Sequence, residues 1–90
     1  MESTGNDVVT VTTYPISEKD QAMIDTNFVY HSPIGDQPAR YVELRDRAKQ
    51  LAELILCRCP ASRERSVALT ELETAIFWAN AAIARNEKPK

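Results

Sequence analysis

The sequence predicts an all-α fold, in which a short N-terminal arm with one helix precedes a long antiparallel αα-hairpin. Two apolar stripes at helical spacing, separated by a short break that contains a proline, support this prediction. The stripes are Tyr41, Leu44, Ala48, Leu51 and Ile55, and then Leu69, Leu72, Ile76, Ala79 and Ile83. Two helices joined by only a few residues lie antiparallel. We therefore expect an arm over residues 1–35 and a hairpin over residues 36–90, together forming one domain.

The composition limits the core that one chain can build. Of the 90 residues 43% are hydrophobic, but only two are phenylalanine, three tyrosine and one tryptophan. Chains this short commonly need a metal, disulfides or oligomerisation. One histidine and the two cysteines of "CRC" supply too few ligands for a zinc site, and the cysteines are poorly placed for a disulfide. We therefore expect oligomerisation, with no metal and no cofactor.

Charge and hydropathy argue against several classes of function. The net charge of −2 is unfavourable for a general binder of nucleic-acid duplexes, whose affinity depends on a basic surface. The N-terminus lacks the apolar core of a signal peptide, and no segment is expected to reach membrane-spanning length. These features predict a soluble protein of the cytoplasm that contacts no membrane.

The N-terminal arm is expected to be extended on both sides of one short helix. Val8, Val9 and Val11 are compatible with either a short strand or an extended arm. Ser17 is the expected N-cap of a helix in "PISEKDQAMI". The segment "TNFVYHSP" is expected to be extended, because aromatic and β-branched residues disfavour helix and a proline restricts the residue before it.

Each hairpin helix has recognisable ends. Asp36 is the expected cap of the first helix, and Pro38 fits its first turn, where a missing N–H is tolerated. Pro60 ends this helix. Ser62 is the expected cap of the second helix, with Glu64 favourable in its first turn.

The second hairpin helix carries apolar side chains on more than one side. Val67, Phe77, Trp78 and Ala81 point away from its hairpin stripe, toward a side that we call the far face. Exposing them together would leave an unusually large apolar patch. The alternatives are coverage by residues 8–34 and burial against another copy of the hairpin, and we expect the second.

Few residues suggest chemistry. His31 has no obvious nucleophile as a partner, and the chain contains only two glycines, so no glycine-rich phosphate loop is possible. "SRERS" places Arg63 and Arg65 beside free N–H groups and serine hydroxyls in the first turn of a helix, an arrangement that suits a phosphate. The alternative is pairing with Glu64 or with carboxylates of a neighbour.

The combined pattern closely resembles one known helical hairpin domain. The segments that carry the resemblance are "YHSP", "DQPARYVELRDRAKQLAELI", "CPASRERS", "ALTELE" and "WANAAIARN", within residues 28–87. They are similar to the domain shared by phage anti-CBASS cyclic-nucleotide sponges and phage Thoeris anti-defence sponges. The short chain looks more like the anti-CBASS branch. The resemblance implies a hexamer that is not an enzyme and that sequesters cyclic oligonucleotides of bacterial defence.

The resemblance also implies two kinds of ligand site. Cyclic dinucleotides would stack on Tyr14 of the N-terminal arm. Related proteins contact the phosphates with a lysine before "YH"; since "TNFVYH" has none, this contact would fall to His31, Thr26 or Lys19. Cyclic trinucleotides would be held at a separate site by Arg63 or Arg65. Capture of cyclic ADP-ribose-type signals and assembly with a protein partner through Phe77 and Trp78 are the alternative functions.

Overall fold

Three helices form the regular structure of the protein. The computed structural model describes residues 9–87, in which α1 spans Glu18–Asn27, α2 spans Gln37–Arg58 and α3 spans Arg63–Asn86. No strand occurs in this range, so the all-α prediction is confirmed. Val9 and Val11 lie in an arm without regular secondary structure, which decides between the two alternatives for these residues, while Val8 lies outside the described range. The domain boundary after residue 35 stays a prediction.

Two of the three predicted helix caps are confirmed. The Ser17 hydroxyl accepts a hydrogen bond from the Asp20 N–H at 3.0 Å. The Ser62 hydroxyl accepts one from the Arg65 N–H at 3.1 Å. Both serines have the extended backbone that lets an N-cap side chain reach an N–H of the first turn.

The third predicted cap, Asp36, is wrong in detail. Asp36 does precede α2, and Pro38 lies in the first turn as expected, but the Asp36 carboxylate caps no N–H. Its backbone angles of φ −88° and ψ 8° are not extended, so the side chain turns outward. The carboxylate instead accepts a hydrogen bond from the Arg40 Nε at 3.2 Å.

The helical segment of the arm is longer than expected. Thr26 and Asn27 belong to α1, so the predicted extended segment begins only beyond them. Gly35 then turns the chain into α2 with a φ of 54°, a left-handed conformation that glycine adopts without steric cost.

The hairpin stripe of α3 is confirmed, because its five residues are all half-buried. The stripe of α2 departs from the prediction at one position. Leu51 is 46% exposed, and Ala52 takes its place toward α3. A straight helix with 3.6 residues per turn drifts away from a strict heptad, so the contact shifts by one residue along α2.

A single chain leaves most of its apolar surface exposed to solvent. Residues 9–87 contain no buried hydrophobic residue. The accessible surface is 7702 Å², whereas a compact monomer of 10.1 kDa exposes about 5300 Å². The Cα radius of gyration is 21.8 Å, against about 12 Å for a compact domain of this length. The helices are therefore arranged as an open, elongated unit.

Contacts between the helices are uneven. α2 and α3 pack along each other, joined by the short link 59–62, whereas α1 makes only sparse contacts with either helix. The hairpin thus has a turn end at this link and an open end where the start of α2 meets the end of α3. The position of α1 depends on the connection 28–36 at the open end.

α3 is also long and apolar enough to cross a membrane by length and composition. It has 24 residues and a mean hydropathy of 1.2 in its most apolar window. The expectation that no segment would reach membrane-spanning length is therefore wrong. The same length and composition are found in helices that become buried against protein, so this property alone does not define the surroundings of α3.

Candidate functional site

The structure separates the predicted ligand residues into two groups. Arg63 and Arg65 lie in the first turn of α3, at the turn end of the hairpin. Thr26 and His31 lie at the open end, where Arg85 of α3 approaches the end of α1. A helix of 24 residues is about 36 Å long, so one chain does not bring the two groups together.

The four predicted ligand residues of the N-terminal arm are Tyr14, Lys19, Thr26 and His31, and we call them the arm group. The first two are highly accessible. Tyr14 is 81% exposed and lies in the extended segment before α1. Lys19 follows in the first turn of α1 and is also exposed. Neither side chain is engaged by a hydrogen bond or ion pair to another residue of the range 9–87.

Thr26 and His31 have structural contacts. The Thr26 hydroxyl donates to the Ala22 carbonyl at 3.1 Å. His31 Nε2 lies 2.7 Å from the Thr26 carbonyl, and because a carbonyl only accepts, this nitrogen carries the proton. Both contacts stabilise the last turn of α1. Their predicted role in ligand binding stays a prediction.

Arg63 and Arg65, which we call the turn group, differ in their hydrogen bonds. Arg65 Nη1 donates to the Cys59 carbonyl at 3.2 Å and to the Leu56 carbonyl at 3.4 Å. Arg65 thus satisfies carbonyls at the end of α2, in addition to any ligand contact. Arg63 is exposed, and its guanidinium makes no hydrogen bond or ion pair within the described range. Neither arginine is paired with Glu64 there.

Two of the four predicted interface residues, Phe77 and Trp78, point in different directions, and the interface itself stays a prediction. Phe77 is 69% exposed and Trp78 is 64% exposed, but neighbouring residues on a helix point about 100° apart. Phe77 faces the groove between α2 and α3, whereas Trp78 lies under the Arg85 guanidinium at 5.9 Å. Glu71, two turns before Trp78, lies on the same side as Trp78.

The hairpin groove is a site that the sequence did not indicate. It has a volume of about 660 Å³. Its walls include Arg45, Lys49, Leu56, Glu73, Phe77 and Asn80. The Asn80 Oδ1 atom is buried without a hydrogen-bond partner among residues 9–87. The groove thus combines an apolar wall from Leu56 and Phe77 with the charged side chains of Arg45, Lys49 and Glu73.

A polar cluster at the open end was also missed. Gln37 is 4% exposed, and its Nε2 donates to Glu87 Oε1 at 3.1 Å. Arg40 forms a bidentate pair with Glu87, with Nη1 2.8 Å from Oε2. These hydrogen bonds, first that from Arg40 and then that from Gln37, lower the pKa of Glu87 to about 2. The cluster thus holds Glu87 ionised.

The structure offers little support for a metal centre. No group of three or more histidine, cysteine, aspartate or glutamate side chains in the part of the chain that the structure describes is arranged to hold a metal ion. Cys57 and Cys59 are exposed free thiols.

Comparison with known families identifies the architecture. The family model for the Acb2/Tad1 hairpin domain matches residues 20–84, which include most of α1, all of α2 and nearly all of α3. Comparisons with curated proteins and with solved structures give no match. The helical hairpin, its short preceding helix and the extent of this match show that the chain belongs to the Acb2/Tad1 hairpin domain family, the family of anti-CBASS and anti-Thoeris sponges.

Proposed function

We propose that this protein is a phage-encoded sponge of the host cytoplasm that binds cyclic di- or trinucleotides of CBASS defence and releases them uncleaved. The observation that carries the proposal is the family match over residues 20–84. The family implies binding of cyclic nucleotide signals rather than catalysis. Sequestration needs only an affinity and a concentration that keep the free signal below the level that activates its effector.

The proposed working form is a homo-oligomer, with the hexamer as the size that the resemblance implies. The open shape and the exposed Phe77 and Trp78 side chains support this form, since exposed apolar side chains that lie close together mark interaction surfaces. We propose another protein copy rather than lipid as the cover of α3. Glu71 and Glu73 lie within its apolar stretch, and carboxylates are costly in a bilayer.

We propose Arg63 as the main phosphate contact of the turn group. Its guanidinium is not engaged within the described range, whereas Arg65 already donates to two carbonyls. A phosphate near the first turn of α3 also benefits from the helix dipole. Tyr14 is the proposed stacking residue of the arm group, because a base can approach its exposed ring.

Cyclic ADP-ribose-type signals are the second candidate ligands. The matched domain is common to both sponge branches, so the family match supports either signal class. Both classes present phosphates and flat bases, for which arginines and an exposed tyrosine are suitable partners.

The test is calorimetry against a panel of cyclic dinucleotides, cyclic trinucleotides and cyclic ADP-ribose isomers. We expect saturable binding of at least one cyclic oligonucleotide, and heat denaturation should release that ligand intact. Binding only of a cyclic ADP-ribose isomer would assign the protein to the anti-Thoeris function. A linearised product from a clean preparation would make it an enzyme, with His31 the first residue to examine.

A further inference from the structure

The most enclosed part of the described chain is polar. Gln37 is the one buried residue of the range 9–87, at 4% exposed. Its side-chain amide bonds in two directions: Oε1 accepts from the Ile34 N–H at 3.0 Å, and Nε2 donates to Glu87 at 3.1 Å. A buried amide satisfied on both sides specifies a single local arrangement. Gln37 therefore connects the segment before α2 with the end of α3.

Glu87 is the common acceptor of this arrangement. It accepts one hydrogen bond from Gln37 and two from Arg40. Arg40 also forms an ion pair with Asp36 at 3.1 Å. One carboxylate after the last turn of α3 thus holds the first turn of α2. We call Gln37, Arg40 and Glu87 the latch.

The latch lies at one end of the connection that leads from α1 to α2. α1 packs sparsely against the hairpin, so its direction depends on the connection 28–36. One end of that connection is held to α1 by the bond between His31 and the Thr26 carbonyl. The other end is held to α2 by the bond between Ile34 and Gln37. Among the hydrogen bonds of residues 9–87, only a long one of 3.5 Å from Arg85 to the Asn27 carbonyl joins α1 directly to α3.

We propose that Glu87 is a positioning residue, which fixes α1 on the hairpin and thereby places Tyr14 and Lys19 for ligand. The carboxylate does not itself touch the ligand. It keeps the connection 28–36 in one conformation, so that the arm does not have to be ordered when ligand binds. The part of this inference that concerns ligand rests on the proposed function.

The first test is hydrogen exchange on the full chain, which compares wild-type protein with Glu87→Ala. We expect amides of residues 28–36 to exchange about tenfold faster, as when a small hydrogen-bond network opens locally. Amides in the middle of α2 and α3 should keep their protection. Glu87→Gln keeps one acceptor oxygen and should give an intermediate effect. Glu43→Ala removes an exposed glutamate near the same end and should change nothing.

The second test is calorimetric titration of these variants with cyclic GMP–AMP. If the arm is correctly placed in only a fraction of the molecules, the apparent affinity falls in proportion to that fraction. We expect about a tenfold weaker dissociation constant for Glu87→Ala, no change for Glu43→Ala, and an unchanged oligomeric state in sedimentation.

The outcomes separate the latch from the sponge function. Unchanged exchange of residues 28–36 in Glu87→Ala would overturn the latch itself. Faster exchange with unaltered affinity for cyclic GMP–AMP would overturn the positioning role. If wild-type protein binds no member of the cyclic oligonucleotide panel, the proposed function fails, and the ligand role of Glu87 fails with it, while the exchange result still decides whether the latch exists.

Discussion

At the scale of single residues, the two arginines of α3's first turn have different surroundings despite equivalent sequence positions. An arginine there opposes the helix dipole unless acceptors lie nearby. Arg65 finds these acceptors in the Leu56 and Cys59 carbonyls, because an antiparallel hairpin places the end of α2 beside the start of α3. Arg63 is exposed and makes no such hydrogen bond within residues 9–87. The sequence pattern leaves both arginines open to phosphate or to carboxylate partners and does not distinguish one arginine from the other.

Substitution of single ligand residues should affect different ligands. If Arg63 binds phosphate as proposed, Arg63→Ala should remove a charge-assisted contact worth about 1.5–3 kcal/mol, or at least about tenfold in cyclic trinucleotide affinity. Tyr14→Ala should remove the proposed stacking contact of about 1–3 kcal/mol and weaken cyclic dinucleotides instead. Calorimetry of both variants with both ligands measures this. If each variant weakens both ligands equally in an intact oligomer, there is one site rather than two.

The pH dependence of stability should show how much the ionised Glu87 carboxylate contributes to folding. Hydrogen bonds from Arg40 and Gln37 lower its pKa to about 2 in the folded protein, while an unfolded glutamate titrates near about 4.3. The contribution of Glu87 is therefore fully present above the unfolded value and is lost as the pH falls through about 2.

Thermal unfolding of wild-type protein and Glu87→Gln measures this contribution. We expect the wild-type protein to have the higher Tm near neutral pH, and the difference should disappear toward pH 2. A difference in Tm that is independent of pH would show that the carboxylate charge plays no part.

At the scale of helices, prediction succeeded where the determining interactions are local. The three helices, the caps at Ser17 and Ser62 and the α3 stripe all follow from residues within one or two turns of each other. Heptad spacing places Leu51 in the stripe of α2, whereas the helix has 3.6 residues per turn and directs Ala52 toward α3 instead. The pair Arg40–Glu87 joins residues 47 positions apart, so it depends on the register between α2 and α3, which no local pattern specifies.

Removing the cap of α3 should weaken this helix measurably. The Ser62 hydroxyl satisfies the Arg65 N–H, and replacing an N-cap serine by alanine costs about 1 kcal/mol. Ser62→Ala should lower the Tm by several degrees at a fixed protein concentration, while Ser66→Ala, one turn later, should have little effect. Equal effects of the two substitutions would mean that the cap contributes nothing.

At the scale of the whole molecule, the hairpin is open and leaves its apolar side chains largely uncovered, which is why we propose an oligomer. Trp78→Asp should break the proposed oligomer into smaller species, because a carboxylate would be buried in an apolar contact. Thr12→Asp, on the exposed arm, is the matched control and should leave assembly unchanged. Sedimentation measures both. An intact oligomer in Trp78→Asp would place the interface elsewhere on the hairpin.

The most direct test of the central claim, an oligomeric sponge that binds without cleaving, is native mass spectrometry of wild-type protein mixed with the cyclic nucleotide panel. The predicted result is a particle of six 10.1-kDa chains that carries a cyclic oligonucleotide of unchanged mass. A 10.1-kDa monomer with no member of the panel bound would contradict the account.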